Sequence, residues 1–487
     1  MKTVYALLLC VLCFGFSVAT QANNLQITDV SFDKTTSELT FTISWDNAWF
    51  LNENYRDVVW VFAKYKNSNS NNWKPVKFKS SNIQTPSSIV AATDRDEGIY
   101  VRGSFDTPGQ KNIIPSFLTI EIADEQAEDL VNASFKVFGI EMVYVPFGEY
   151  YLGDGGSNSM FFDPSAPSDP VLVNQDQTAF FARVDGINPG GITIPEFYPK
   201  GFGFLMMKYE VTQSQMIGFL NCLTRSQQES LLGDFQTDSK VYAMTTSEEP
   251  LFRNGIAYAG SEVKPGVPLE FKLDLNNNDV FNEAEDGASI ACNFVYGGLA
   301  LSYLDWAHCR PLSVMEYEKA CRGFDDPVRD EYAWGTNSFT PTDNIINAGK
   351  DNEAVDNFGL GLANIESELN GPLRVGFSAT KATIRGTSGG SFFGIMNLSD
   401  NLAELYHLAS GSSNLLTERS RGDGNLLPNG QTDEAAFIDE AWFYYKGASF
   451  QSATGTVSYA HPWSLMSQDL YQPGDVGSAR NGFRGGR

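Results

Sequence analysis

Residues 274–285 hold the ligand-type spacing best suited to chemistry in this chain. Asp274, Asn276, Asn278 and Glu285 stand at relative positions 1, 3, 5 and 12, with Asn282 at position 9. Oxygen side chains at those intervals are what an EF-hand loop wraps around calcium, a hard cation that takes oxygen ligands. Position 6 departs from the pattern, since Asp279 stands where glycine normally makes the sharp turn. Aspartate tolerates the left-handed backbone such a turn requires. The competing reading is an exposed polar insertion folded by its own Asn and Asp side chains.

Other routes to metal or nucleophilic chemistry are sparse. His308, His407 and His461 include no pair at i, i+4 spacing, so no preformed facial triad is read. No Ser-His-Asp signature, Walker loop or GxGxxG turn occurs. Cys10 and Cys13 lie in an apolar N-terminal run without a lipidation context, and Cys222, Cys292, Cys309 and Cys321 follow. Those four have no CxxC spacing, which argues against a zinc ribbon. In an oxidising compartment an even set favours disulfides, with three full pairings open, and buried free thiols are the alternative. No cysteine follows Cys321.

The elements that must position these groups fall into two textures. Residues 24–136 read as all-β. LQITDVSF, ELTFTISW, DVVWVFAKY, GIYVRGSF, SFLTIEIA and NASFKVFGI are short runs rich in β-branched and aromatic residues, separated by turn-forming pieces. Strands at this spacing predict an immunoglobulin-like sandwich. Trp45, Trp49, Trp60 and Trp73 are read as core or inter-domain packing. From Ile140 the texture changes. Thr212 with Gln215, and Ser313 with Glu316, have capping-box spacing and predict helix starts, and GGLALSYLDWAHC predicts an amphipathic helix between them. Beyond Cys321 the chain is rich in Gly, Asn and Ser, with little helical pattern.

Composition bounds the function. A chain of 487 residues with 42% hydrophobic content can bury more than one core. A formal charge of −25 repels nucleic acid and anionic membrane surfaces, so neither is expected as a partner. Residues 1–22 read as a signal peptide, with Lys2, an apolar run from Val4 to Val18 and small residues before Ala22. No second apolar stretch is long enough to span a membrane. The expectation is an exported protein: periplasmic, cell-surface or secreted.

Six segments then occur in one order: MVYVPFGEYYLGD, KYEVTQ, YLDWAHCRPLSVMEYEKACRG, YAWGT, FFGIMNLSDNLAE and the closing GFRGGR. Together they resemble the formylglycine-generating enzyme, or sulfatase-modifying factor, domain over residues 138–487. The resemblance implies an α+β fold related to C-type lectins, of low regular secondary structure, here preceded by the all-β sandwich. The added sandwich and the GxSFFG…GDG…FRGGR rhythm are similar to exported members found in Bacteroidetes. Catalytic members of the family oxidise a substrate cysteine with a copper(I)-binding cysteine pair near the domain's end. This chain has Ser and Tyr there but no thiol, so no copper is expected, since copper(I) needs soft ligands. The family's Asn-x-x-Glu unit, which binds structural calcium, corresponds to Asn401 and Glu404, with Asp400 and Ala403 replacing the usual glycine and tryptophan. The other reading of this unit is a structural Asn turn. A second family calcium site is expected between Asn347 and Glu368.

Other motifs are given plainer readings. Arg421-Gly422-Asp423 is read as a polar turn, Glu316 and Glu318 as capping and ion-pairing groups, and Trp442 to Tyr445 as core. The functional expectation is a non-catalytic binding or structural protein with structural calcium. It would display the C-terminal loops, roughly 411–482, to a protein, peptide or glycan ligand, or join a cell-envelope assembly. The alternative is an oxidoreductase of the same superfamily using a non-cysteine metal site.

Overall fold

The computed structural model describes residues 24–487 except 124–129, 131, 157–158, 175–179, 183–191, 195–202, 238, 381–382, 410–419, 439–440 and 453–476. The expected signal peptide at 1–22 lies outside the described residues.

The molecule is mostly β. Its largest unit is a ten-stranded curled sheet. One half holds β1 (Gln26–Asp33), β2 (Glu38–Asn52), β5 (Phe78–Gln84) and β8 (Gly109–Ile122). The other holds β3 (Tyr55–Lys66), β4 (Lys74–Pro75), β6 (Ile89–Asp94), β7 (Gly98–Gly103), β9 (Ser134–Val145) and β10 (Phe204–Met207). The halves join where β2 turns into β3, at Phe50 opposite Arg56 and Asn52 opposite Tyr55.

The sequence pattern explains how the halves pack. Along β2, residues alternate between buried and half-buried, sending Leu39, Phe41, Ile43 and Trp45 inward. That is the signature of a strand with one covered face. In β3 the run from Asp57 to Tyr65 is buried without interruption, because both its faces are covered. Val59, Val61 and Ala63 pack with Leu39, Phe41, Leu118 and Ile120 inside the curl. Val58, Trp60 and Phe62 point the other way, into a second core with Met207, Phe219, Leu299 and Trp306. Each such fully buried side chain contributes roughly 1.5–3 kcal/mol.

The expected domain boundary at 136–138 falls inside β9. That strand pairs with β3 from Ser134 to Val143 and with β10 from Met142 to Val145. The two sequence textures therefore share one sheet.

Helices cover the outer face of that sheet. α1 (Gln213–Leu220) and α4 (Val314–Arg322) start at the capping boxes of Thr212 and Ser313. α2 (Arg225–Leu232) uses a further capping box, Thr224 with Gln227. α3 (Gly297–Trp306) differs from the amphipathic expectation, since all of its residues are buried. It lies in the interior, so no polar face is needed. Beyond α4 the regular elements are short. The longest are β11 (Ala403–Ala409) and β12 (Ala441–Lys446), which pair antiparallel, with β13 (Asn481–Gly482) parallel to β11.

The closing segment is tied into this core. Leu205 and Arg487 exchange main-chain hydrogen bonds at 2.8 and 2.9 Å, as do Arg310 and Gly486 at 2.9 and 3.0 Å. A Cβ on Gly485 would lie 2.2 Å from Leu304 Cδ2, and one on Gly486 would lie 2.5 Å from the Leu205 carbonyl oxygen. Only glycine fits where the chain passes this close.

The four described cysteines are buried free thiols, which corrects the disulfide expectation. Cys222, Cys292 and Cys309 pack in the helical core and Cys321 in a neighbouring one, each as a small hydrophobe.

Candidate functional site

The 274–285 loop folds around its first residue. Asp274 is fully buried, and its carboxylate accepts from the backbone N–H groups of Asn278 and Asp279. Asn277, Asp279 and Asn282 adopt φ of +59°, +66° and +62°. Asp279 thus supplies the left-handed turn that glycine supplies in an EF-hand. The ligand set does not converge, however. Lys240 Nζ lies 2.6 Å from Asp274 and 2.7 Å from Asp279, so an ammonium already neutralises these carboxylates. Glu285 points to Lys350 at 2.8 Å. Asn276 and Asn278 turn their amides to Glu283 instead, and each Oδ1 accepts a backbone N–H within the loop. This donor set does not fit calcium, because the position-12 carboxylate is engaged elsewhere and a lysine holds the first.

Asn401 and Glu404 lie in a buried polar centre assembled from three segments. Glu210 comes from the turn before α1, Asp400 and Asn401 from the approach to β11, Glu404 from β11 itself, and Arg484 from the closing segment. All are at most 1% exposed. Asn401, at φ +70°, donates to Glu210 Oε2 at 2.7 Å and accepts from the Leu373 N–H at 2.8 Å and from Asn364 at 3.0 Å. Glu210 Oε1 accepts from the Leu402 N–H at 3.0 Å. Asp400 accepts from the Asn364 N–H and from the Asn397 amide. Both oxygens of Glu404 accept from the Arg484 guanidinium, in a fork, and Tyr406 donates to one of them at 2.9 Å.

Three carboxylates and one guanidinium share this buried space. Burial raises the Glu404 carboxyl, against the pull of Arg484. Burial, with Glu404 nearby, pushes Glu210 well above the usual carboxylate range, and burial pushes Asp400 up to about 6. Burial thus favours the neutral form of each of these carboxyls. Asn401 and Glu404 do not fit a calcium ion as folded, since a cation would have to displace Arg484 and the donors on Asn401.

A third set of oxygens gathers where the sheet meets the second region. Carboxylate oxygens of Asp305, Asp423 and Asp433 lie within 4.8 Å of one another. Asp305, at the end of α3, is buried and accepts from the Thr432 hydroxyl at 2.6 Å. Burial raises its carboxyl to about 7, with Asp433 and Asp423 adding to the Thr432-opposed rise. Next to it Lys64 of β3 donates to the Gly424 carbonyl at 2.8 Å, and burial lowers its ammonium to about 7. The Arg421-Gly422-Asp423 tripeptide is part of this junction. Arg421 is buried on Asp94 at 2.7 Å and on Glu97 at 2.9 Å, so it is not presented to solvent.

The remaining candidates carry no chemistry of their own. His308 and His407 are buried, and burial drives both imidazoles toward the neutral form. His461 and about half of the 411–482 loop surface lie outside the described residues. Burial pushes the Cys222 thiol up to about 11 and Cys309 up to about 12, and also raises Cys292 and Cys321. Glu316 caps α4 and pairs with Arg310, and Phe443 and Tyr444 are buried.

Sequence reasoning missed Glu210 and Arg484 as members of one centre, though both stand inside segments it singled out, KYEVTQ and GFRGGR. It had no signal for the Asp305 cluster, whose members are far apart along the chain.

The sequence matches no family model, and no curated protein matches it.

Proposed function

We propose that this chain is an exported, non-catalytic binding or structural protein. In this reading, residues 138–487 form a scaffold similar to the formylglycine-generating enzyme domain, C-type-lectin-like in fold, fused to an immunoglobulin-like sandwich. The observation that carries it is the state of the thiols. No cysteine follows Cys321, and the four described ones are buried, unpaired and held protonated. A copper(I) pair needs accessible thiolates close together. The polar centre supports the same reading, because its ionic groups spend their hydrogen bonds on joining β11, the α1 approach and the closing segment. The ligand surface in this reading is the C-terminal loop region, offered to a protein, peptide, glycan or cell-envelope partner.

The rival is an oxidoreductase built on a non-cysteine metal site, for which Asp305, Asp423 and Asp433 are the candidate oxygen cluster among the described residues. Incubation with a cysteine-containing peptide and oxygen, read by mass spectrometry and paired with metal analysis of the purified chain, tests the two. Unmodified peptide and no stoichiometric copper or iron are expected. Formylglycine in the product, or either metal at one per chain, overturns the proposal.

A further inference from the structure

The outer face of the curled sheet is only partly covered by the second region. Directly opposed residues of antiparallel strands share a face. The register sets Val90 and Ala92 of β6 opposite Arg102 and Tyr100 of β7, and Tyr100 opposite Trp60 of β3. Stepping back by twos along β3 adds Val58 and Arg56, and Leu205 of β10 stands opposite Tyr144 of β9. The Trp60 end of this face is sealed by Arg487, whose guanidinium carbon lies 3.4 Å from the ring centroid. The other end opens as a cavity of about 520 Å³, with Val58, Val90 and Leu205 among its apolar lining.

Five guanidiniums line this cavity, in a chain whose formal charge is −25. Arg421 and Arg487 are buried and committed to Asp94 and Glu97. The others are held loosely. Arg56 and Arg102 stand 3.5 and 3.4 Å from the same Glu53, whose side chain is 68% exposed, and Arg95 stands 3.4 Å from Glu97. Solvated pairs of this kind contribute about 0–1 kcal/mol each, so a better acceptor can displace Glu53. The Arg56 Nε is buried without an acceptor among the described residues. Five arginines here pair with three carboxylates, Asp94, Glu97 and Glu53.

We propose that this cavity binds a small organic anion. Its carboxylate, sulfate or phosphate head sits on Arg56 and Arg102 in place of Glu53, and its apolar or ring body lies on Val58, Val90 and Leu205. The planar N–H fork of arginine suits such oxyanions. This goes beyond the scaffold reading, since it names a ligand chemistry and places it on the N-terminal sheet rather than on the C-terminal loops.

Calorimetric titration of the full chain with benzoate, phenyl sulfate and phenyl phosphate at low salt tests it and separates the three head groups. Saturable one-to-one binding is expected for at least one, weakened about tenfold by Arg102→Ala and only partly restored by Arg102→Lys, which keeps the charge but not the planar fork. Glu53→Gln is expected to tighten binding severalfold, because the internal competitor is gone; Glu53 is exposed, so this variant carries the test even where an arginine variant fails to fold. No saturable binding of any probe up to about 10 mM, or binding that neither Arg102→Ala nor Glu53→Gln changes, overturns the proposal.

Discussion

Replacing Glu404 by Gln asks what neutralises the buried polar centre. Gln keeps the shape of the side chain and can still accept from Tyr406 and from one Arg484 N–H. It removes the charge opposite a guanidinium that is fully buried. Breaking a buried ion pair by deleting one partner costs about 3–5 kcal/mol, because the survivor is left uncompensated in a poor dielectric. Glu210 shares this field, and its high pKa is raised by burial and then by Glu404. Once Glu404 is neutral, Glu210 ionises more readily and recovers part of the loss, which places the expected cost near 3 kcal/mol. With about 2.1 cal/mol/K of unfolding entropy per residue, a chain of 487 residues shifts by roughly 1 °C per kcal/mol, so the melting temperature should fall by about 3 °C. The assay is thermal melting of both proteins with calcium and with chelator. The same fall is expected in both, with the unsubstituted protein indifferent to chelator. Adding Arg484→Met to the Gln variant should restore part of the stability, since both halves of the pair are then gone. The reasoning is refuted if chelator lowers the melting temperature of the unsubstituted protein and Glu404→Gln abolishes that response. Glu404 would then be holding a cation rather than Arg484.

Two further outcomes follow from the buried ionisable groups. The Asp305 carboxyl is raised by burial to about 7 in the fold, against about 3.9 in an unfolded chain, so the stability linked to it is present below about pH 4 and lost as pH rises through about 7. Asp305→Asn should therefore flatten the stability profile between about pH 4 and 7 and raise stability above pH 7 by on the order of 2 kcal/mol, read by urea unfolding at a series of pH values; an unchanged slope counts against a protonated Asp305. The four core thiols should resist a thiol reagent in the native protein and all react after denaturation, while reductant leaves the melting temperature unchanged. Fast native labelling at Cys222 or Cys309 would contradict their buried, protonated state.

How much of this was legible in the sequence depends on the range of the interaction. Thr212 and Ser313 announced their helices because a capping box is written within four residues. The strands of the N-terminal region were legible from alternation, and the unbroken run in β3 follows from cover on both faces. The loop after Asp274 was legible as a turn, with Asp279 adopting the left-handed conformation its side chain tolerates. Its electrostatics were not, because Lys240 reaches Asp274 from 34 positions away. The same limit hid the partner of Glu404, since Arg484 lies 80 residues on. Oxygen spacing along the chain shows what could ligate a cation. Which cation arrives depends on the fold, and here lysine and arginine side chains arrive at both places.

The GFRGGR segment ties together parts of the molecule that are far apart along the chain. Its two arginines serve different partners. Arg484 anchors Glu404 and reaches the Met396 carbonyl at 2.8 Å, fixing the loops around β11. Arg487 lies on Trp60 and donates to Asp94 at 3.0 Å and Glu97 at 2.8 Å, fixing the outer face of the sheet. The glycines between them let the backbone pass Leu304 and Leu205 closely enough for both arginines to reach their partners. A segment with both duties couples the second region to the sheet, so Arg487→Ala should loosen the junction around Trp60, Asp94 and Lys64. Because Arg487 also lines the cavity that holds Arg56 and Arg102, the same variant should change the shape of that cavity.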